Sequence, residues 1–274
     1  MARNLRPTRP APRSAPRSAP RTAWGWAWAG ALAGVLPAVV AFAPAHWLAG
    51  GVARATQGQV QLLQPRGTVW TGSAQLVLTG GQASKDSAAL PGRVDWQLRP
   101  TWGGLRARLQ AGCCTPEPLQ AQVHLRWAGP QITLADGQSQ WPAALLAGLG
   151  TPWNTLQPQG QLALQTRALA VQWAAGRMVL SGQAQLDARA MSSRLSTLRP
   201  MGSYRLVLQG GEVPTLALST LDGALQLSGS GQWVGNRLRF AGEASAAPER
   251  EAALSNLLNI IGRRNGARSI ITVG

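Results

Sequence analysis

From residue 58 onward the chain alternates apolar and polar side chains with a period of two. Val94, Trp96 and Leu98 alternate with Arg93, Asp95, Gln97 and Arg99. Leu105, Ala107 and Leu109 alternate with Arg106, Arg108 and Gln110. Leu119, Ala121, Val123, Leu125 and Trp127 oppose Gln120, Gln122, His124 and Arg126. Side chains in a strand point to opposite faces in turn, so this pattern predicts antiparallel strands with one buried and one wet face. The second half repeats it through Leu169, Val171 and Trp173, then Tyr204, Leu206 and Leu208, then Leu225 and Leu227. A change of phase near Thr166 predicts a bulge. Glycine, Asn or Asp separates most runs, as hairpin turns require.

The pattern predicts roughly ten to twelve strands and only two helices. One helix covers Trp141–Leu149; the other covers about 248–261, with Leu254, Leu257, Leu258 and Ile261 as its apolar stripe. Glu249 and Glu251 lie near the positive end of the second helix, and Arg263 and Arg264 near its negative end. Two short helices cannot cover the apolar side of so many strands. The sheet must curl over itself as a trough, a sandwich or a barrel.

The first 49 residues break the alternation. Residues 1–22 combine Pro, Ser, Ala and six arginines, and predict a disordered basic cytoplasmic tail. No charge occurs from Thr22 to Ala53, which predicts a transmembrane helix over 23–49. Trp24, Trp26 and Trp28 mark one membrane interface and Trp47 the other. Trp28 and Trp47 are separated by about 28 Å of helix, close to the hydrocarbon thickness. The rival reading is a signal peptide cut after Ala-Phe-Ala at 41–43. Pro44 would follow that cut, where cleavage is disfavoured, so retention is preferred. The arginines before the span keep the tail cytoplasmic and place residues 50–274 in the periplasm. The fold expected is therefore mainly β: an N-terminal transmembrane helix, then a curled antiparallel sheet with two short helices.

Composition changes this picture little. The net charge of +16 invites a nucleic-acid reading. All but one of the 26 basic residues are arginine, however, and they are spread along the chain without a focused patch. No nucleic-acid partner is expected. Ten acidic residues are scattered, and the two histidines, His46 and His124, have no acid and nucleophile beside them. No phosphate-cradling loop or nucleophile elbow occurs. The chain reads as a non-enzyme with no catalytic residue, metal, cofactor or small-molecule substrate. Cys113 and Cys114, the only cysteines, are candidates for a vicinal disulfide in an oxidising compartment. A plain turn joining two strands is the simpler role.

Several motifs occur in one order: "RGTVWTGSAQLVL" at 66–78, "LPGRVDWQL" at 90–98 and "WPAALLAGLGTPWNTLQPQGQLAL" at 141–164. "SRLSTLRPMGSYRLVL" at 193–208, "LSTLDGALQLSGSGQW" at 218–233 and "LLNIIGRRNG" at 257–266 follow. The succession resembles protein N of the type II (general) secretion pathway, from about residue 35 to the end. The resemblance implies an accessory inner-membrane component that helps export folded periplasmic proteins across the outer membrane. It implies contacts with the platform proteins C, L and M and with inner-membrane lipid, and no catalysis. The matching positions are mostly structural: Gly67, Thr68, Trp70, Gly72, Leu90, Pro91, Gly92, Leu195, Gly202, Thr220, Gly223, Gly229, Gly231, Asn259 and Gly262. Arg194 and Tyr204 are the candidate partner contacts, with a buried structural bond as the alternative role for either. The family is also distantly similar to AsmA-like proteins, whose curled sheet implies an apolar groove for lipid; that is the alternative function.

Overall fold

The computed structural model describes residues 23–126, 129–174, 177–235 and 237–274, in two units divided between Phe42 and Ala43. The first contains one helix, α1 (Ala23–Ala41), with Pro37 inside it. The basic tail, 1–22, and the side chain of Trp24 lie outside what the structure describes.

The second unit opens on α2 (Ala45–Ala55) and then runs almost entirely in strands. These are β1 (Val60–Gly67), β2 (Thr71–Thr79), β3 (Ser87–Ala89), β4 (Val94–Thr101), β5 (Gly104–Ala111), β6 (Leu119–Arg126), β7 (Gly129–Leu134) and β8 (Gly137–Pro142). A 3-10 segment (Ala143–Leu149) and a single turn, α3 (Trp153–Leu156), interrupt them. There follow β9 (Gln159–Ala174), β10 (Arg177–Ser192), β11 (Gly202–Gly211), β12 (Thr215–Gly223), β13 (Leu225–Val234), β14 (Arg237–Ala246), α4 (Glu251–Ile261), β15 (Arg263–Asn265) and β16 (Arg268–Val273).

All of these strands belong to one antiparallel sheet, ordered β1-β2-β4-β5-β6-β7-β9-β10-β11-β12-β13-β14-β16-β15, with β3 on β2 and β8 on β9. Nearly every strand pairs with its sequence neighbour, as short hairpin connections dictate. The sheet does not close: β1 and β15 are free edges. Both are blunted. Pro65 and the positive φ of Gln64 interrupt β1, and β15 is three residues of Arg-Arg-Asn. The bulge expected near Thr166 is present: the β9–β10 register slips between Arg167 and Ala170, around Ala168 at φ 47° and Gly182 at φ 80°.

Three buried clusters cover the apolar face. Under α2, Ala45 and Leu48 pack on Ala74, Trp96, Leu62 and Leu98. The 3-10 segment puts Leu145 on Leu90, Ala111 and Cys114. The largest cluster sits under α4, where Leu254, Leu257 and Leu258 meet Met201, Tyr204, Leu225 and Ala244. Between these plugs, Leu105, Ala107, Leu119, Ala121 and Val123 join none of the three clusters and stay half-exposed. The sheet is therefore an unclosed, partly plugged surface.

Several expectations need correction. The uncharged stretch 23–49 is not one helix. Pro44, lacking an N–H to continue the turn, ends α1 and forms a bridge with Thr68, and a new helix begins at Ala45. Trp47 belongs to α2, so Trp28 and Trp47 do not mark the ends of a single span. No helix among the described residues is long and apolar enough to cross a membrane. The expected helix at Trp141–Leu149 is a strand end followed by a 3-10 segment. Trp141 pairs with Leu162 in β8–β9, and Pro142 delays the helix to Ala143. The second expected helix is present as α4, preceded by a 3-10 turn at Pro248–Arg250. The sixteen strands among the described residues exceed the expectation, and β3 and β15, each three residues long with no readable alternation, account for two of the extra ones.

Candidate functional site

An apolar cavity of about 360 Å³ lies beneath α4. Its floor comes from alternate positions of the strands: Leu186 and Ala188 on β10, Tyr204 and Leu206 on β11, Leu225 and Leu227 on β13. Leu257 and Ile261 of α4 form the roof, and Leu146, Trp153 and Leu156 close one end. Period-two leucines supply the floor because every second side chain faces inward. The helix supplies the roof because 257 and 261 lie one turn apart.

Segment 193–201, part of the "SRLSTLRPMG" motif, closes the cavity mouth. Ser193 Oγ donates to the Leu156 carbonyl at 2.6 Å, and Ser196 Oγ donates to the Ala253 carbonyl of α4 at 3.2 Å. Leu195 and Leu198 pack on the buried cluster. The roof is also tied from β15 and β16: Ser269 Oγ donates to the Leu258 carbonyl toward the end of α4, and Arg264 Nη2 lies 2.7 Å from Glu251 Oε1 at its start.

Tyr204, expected at a partner contact, is only 7 % exposed. Its ring lies over Gly202, where an added Cβ would sit 2.8 Å from the hydroxyl oxygen. Buried on the inner face, it cannot meet another protein while the fold is intact. Its hydroxyl is the only buried side-chain N or O among the described residues without a hydrogen-bond partner. Burial, reinforced by the Asp222 charge, pushes this phenol well above its ordinary pKa and keeps it protonated. Arg194 differs: it is exposed, and Nη1 donates to Gln157 Oε1 at 3.1 Å. The two candidates are thus separated onto the inside and the outside of the same wall.

Cys113 and Cys114 are joined by a disulfide. The turn they occupy is closed independently: Thr115 Oγ1 accepts from Ala111 N–H at 2.8 Å, and Cys114 N–H donates to the Ala111 carbonyl at 2.9 Å. Gln140 N–H donates to the Cys114 carbonyl at 2.7 Å, tying the turn to β8. Cys114 is buried against Leu90 and Leu145. Trp26, Trp28 and Trp47 are all exposed.

The alternation pointed to leucines on one face but not to the cavity they enclose, nor to the serines that pin its mouth. On the opposite face, the pattern also gave no sign that Asp187 would be 3 % exposed among three arginine and glutamine partners. Among the described residues no group of His, Cys, Asp and Glu could hold a metal ion.

Comparison with known proteins yields no match among curated sequences and none among solved structures. A family model does match: the ordered sheet from Gly58 onward coincides with its span, residues 58–271, most of the chain. The chain therefore belongs to the type II secretion system protein N family.

Proposed function

We propose that this protein is an accessory, non-enzymatic component of the type II secretion machine, held at the inner membrane with its sheet domain in the periplasm. The family match carries this reading. Members are parts of a secretion machine, so the useful chemistry is contact with other components. In this proposal the partners are the platform proteins C, L and M, and exposed Arg194 is a candidate contact. The uncharged N-terminal stretch is the attachment. α1 exposes Trp26, Trp28 and Val35, and a helix apolar on every side suits lipid better than water. The arginines of residues 1–22 favour a cytoplasmic N-terminus.

The test is deletion of the gene followed by assay of exoprotein release. Loss of release, restored by the intact chain, supports the role; unchanged release removes it. A reporter fused after Gly274 is expected to be active only in the periplasm.

A second reading, a lipid-holding trough of the AsmA-like kind, is supported by the cavity beneath α4 and the half-exposed apolar strip on β5–β7. A volume of about 360 Å³ is near the low end for small-ligand pockets. Lipid co-purifying with the protein, together with normal secretion in the deletion strain, would favour this reading over the first.

A further inference from the structure

The strand register places five tight joins of β4–β14 on one rim of the sheet. Leu105 pairs with Val123, Val123 with Ile132, Ile132 with Val171, Val171 with Leu180, and Leu180 with Gly211. This single line of partners crosses six strands. To one side of it, within a few residues, β4 joins β5, β6 joins β7, β9 joins β10 and β11 joins β12. The β13–β14 join lies on the same side, because Gln209 pairs with Thr215 and Thr215 with Gln232. To the other side lie the long connections, the 3-10 segment and α4, together with the short β7–β8 and β12–β13 joins.

The short-turn rim is conspicuously apolar. Trp102, at the β4–β5 tip, is fully exposed, and Leu125, near the end of β6, is 73 % exposed. Trp173, Val213 and Val234 extend the row at the next three joins. Leu125 N–H donates to the Gly103 carbonyl at 2.8 Å, which fixes Leu125 beside Trp102. Just behind this tip, Arg99 and Arg106 are direct cross-strand partners. Both are exposed, and neither side chain forms a hydrogen bond or ion pair among the described residues. Like charges directly opposite each other destabilise a sheet, so the pair has an unmet need for an anion. The acid on this rim, Glu212 at the β11–β12 join, is separated from the pair by β6, β7, β9 and β10.

The rim is also where the chain enters the domain. Pro44 bridges Thr68 at the β1–β2 turn, and Val69 N–H donates to the Ala43 carbonyl at 2.8 Å. Thr71, beyond that turn, pairs with Gln97 on the way to the Trp102 tip, so Ala43 lies at the same end of the strands. The uncharged apolar stretch therefore joins the domain at its apolar rim.

We propose that this rim rests on the bilayer surface, with Trp102 and Leu125 in the headgroup boundary and Arg99 and Arg106 against anionic headgroups. Tryptophan partitions to that boundary because one part of its ring system is apolar and its N–H needs a wet partner. Arginine beside it gains from the negative surface potential. The occupant is lipid and not protein because the patch is a line of tips that adjoins the entry of an apolar segment. The proposal rests on the membrane attachment given above.

The test uses the full chain in vesicles of phosphatidylethanolamine and phosphatidylglycerol. An environment-sensitive fluorophore is placed on Trp102→Cys, or on Leu221→Cys at the opposite rim, with the native disulfide kept oxidised. A spin-labelled lipid is expected to quench the label at 102 several-fold more than the label at 221, and iodide to do the reverse. In the Trp102→Cys background, Arg99→Gln with Arg106→Gln is expected to reduce lipid quenching in these vesicles but not in phosphatidylcholine alone. Equal quenching at both sites overturns the proposal, as does a label at 102 that is shielded only when another secretion component is added. Flotation of the chain with vesicles is scored separately. A chain that does not float removes the membrane attachment itself, whereas a floating chain with a water-exposed 102 label removes only the rim.

Discussion

Asp187 and Arg205 face each other across β10 and β11 and share two hydrogen bonds, 2.8 Å from Nε to Oδ1 and 2.9 Å from Nη2 to Oδ2. Gln185 donates to the same carboxylate at 3.1 Å, and Arg189 lies 3.6 Å away. The Arg205 hydrogen bond is the main reason the carboxyl is held below its ordinary pKa. A lowered pKa in the folded state means stabilisation that is complete above the unfolded value of about 3.9 and lost as pH falls through the folded value. Asp187→Asn is therefore expected to lower Tm at pH 7 by roughly 3–6 °C and to flatten the loss of stability below about pH 4. Thermal melts across pH 2–8 would measure this; an unchanged acid limb would show that the pair contributes nothing.

Tyr204→Phe removes a buried hydroxyl that has no partner. An unpaired buried donor costs about 1–3 kcal/mol, so deleting it is expected to leave stability unchanged or raise it. A Tm drop in the variant would mean that the hydroxyl has a partner in solution.

Leu258→Ala opens the roof of the largest core cluster. The side chain is fully buried, and the cost is expected to be about 2–5 kcal/mol. Denaturant melts of wild type and variant would measure it. A loss as small as that of exposed Ile260→Ala would mean that α4 does not seat on the sheet.

Gly72→Ala tests the tight pairing of β2 with β4. Gly72 lies opposite Trp96, and an added Cβ would stand 2.5 Å from both Trp96 Cζ2 and the Arg66 carbonyl. Overpacking of about 1–3 kcal/mol is expected. The double variant with Trp96→Leu should recover none of the share due to the Arg66 backbone, and full rescue would refute the backbone clash.

The Trp96 indole N–H explains part of the "RGTVWTG" motif: it donates to the Val69 carbonyl at 3.0 Å and lies close to that of Thr68 at 3.2 Å. Such a bond spans more than two dozen residues of sequence, and period-two reading carries no information at that distance. The same limit hid Asp187. On its strand it looks like one more outward polar residue, and only the register opposite Arg205 makes it a buried anion.

Tyr204 shows the opposite failure. Its place in the alternation put it with Leu206 and Leu208 on one face, the inner one, and that was sufficient to predict burial. Its recognition as a motif residue left a partner contact and a buried structural role both open, and the structure places its ring in the core. Arg194, in a loop without alternation, had no such constraint and lies outside.

By itself the sequence determined the class of this domain: antiparallel strands with one oily face, the bulge near Thr166, the helix at 251–261 and the family. These follow from local periods, turn residues and ordered motifs, all properties of neighbouring positions. The tertiary structure decided how the oily face is covered and where it is not. Whether Leu186, Leu206 and Leu227 close a cavity, and whether Trp102, Trp173 and Val213 align on one rim, depend on register between strands far apart in the chain. Register is set by the sum of many cross-strand pairs and by the helices that plug the sheet, which no local stretch of sequence encodes.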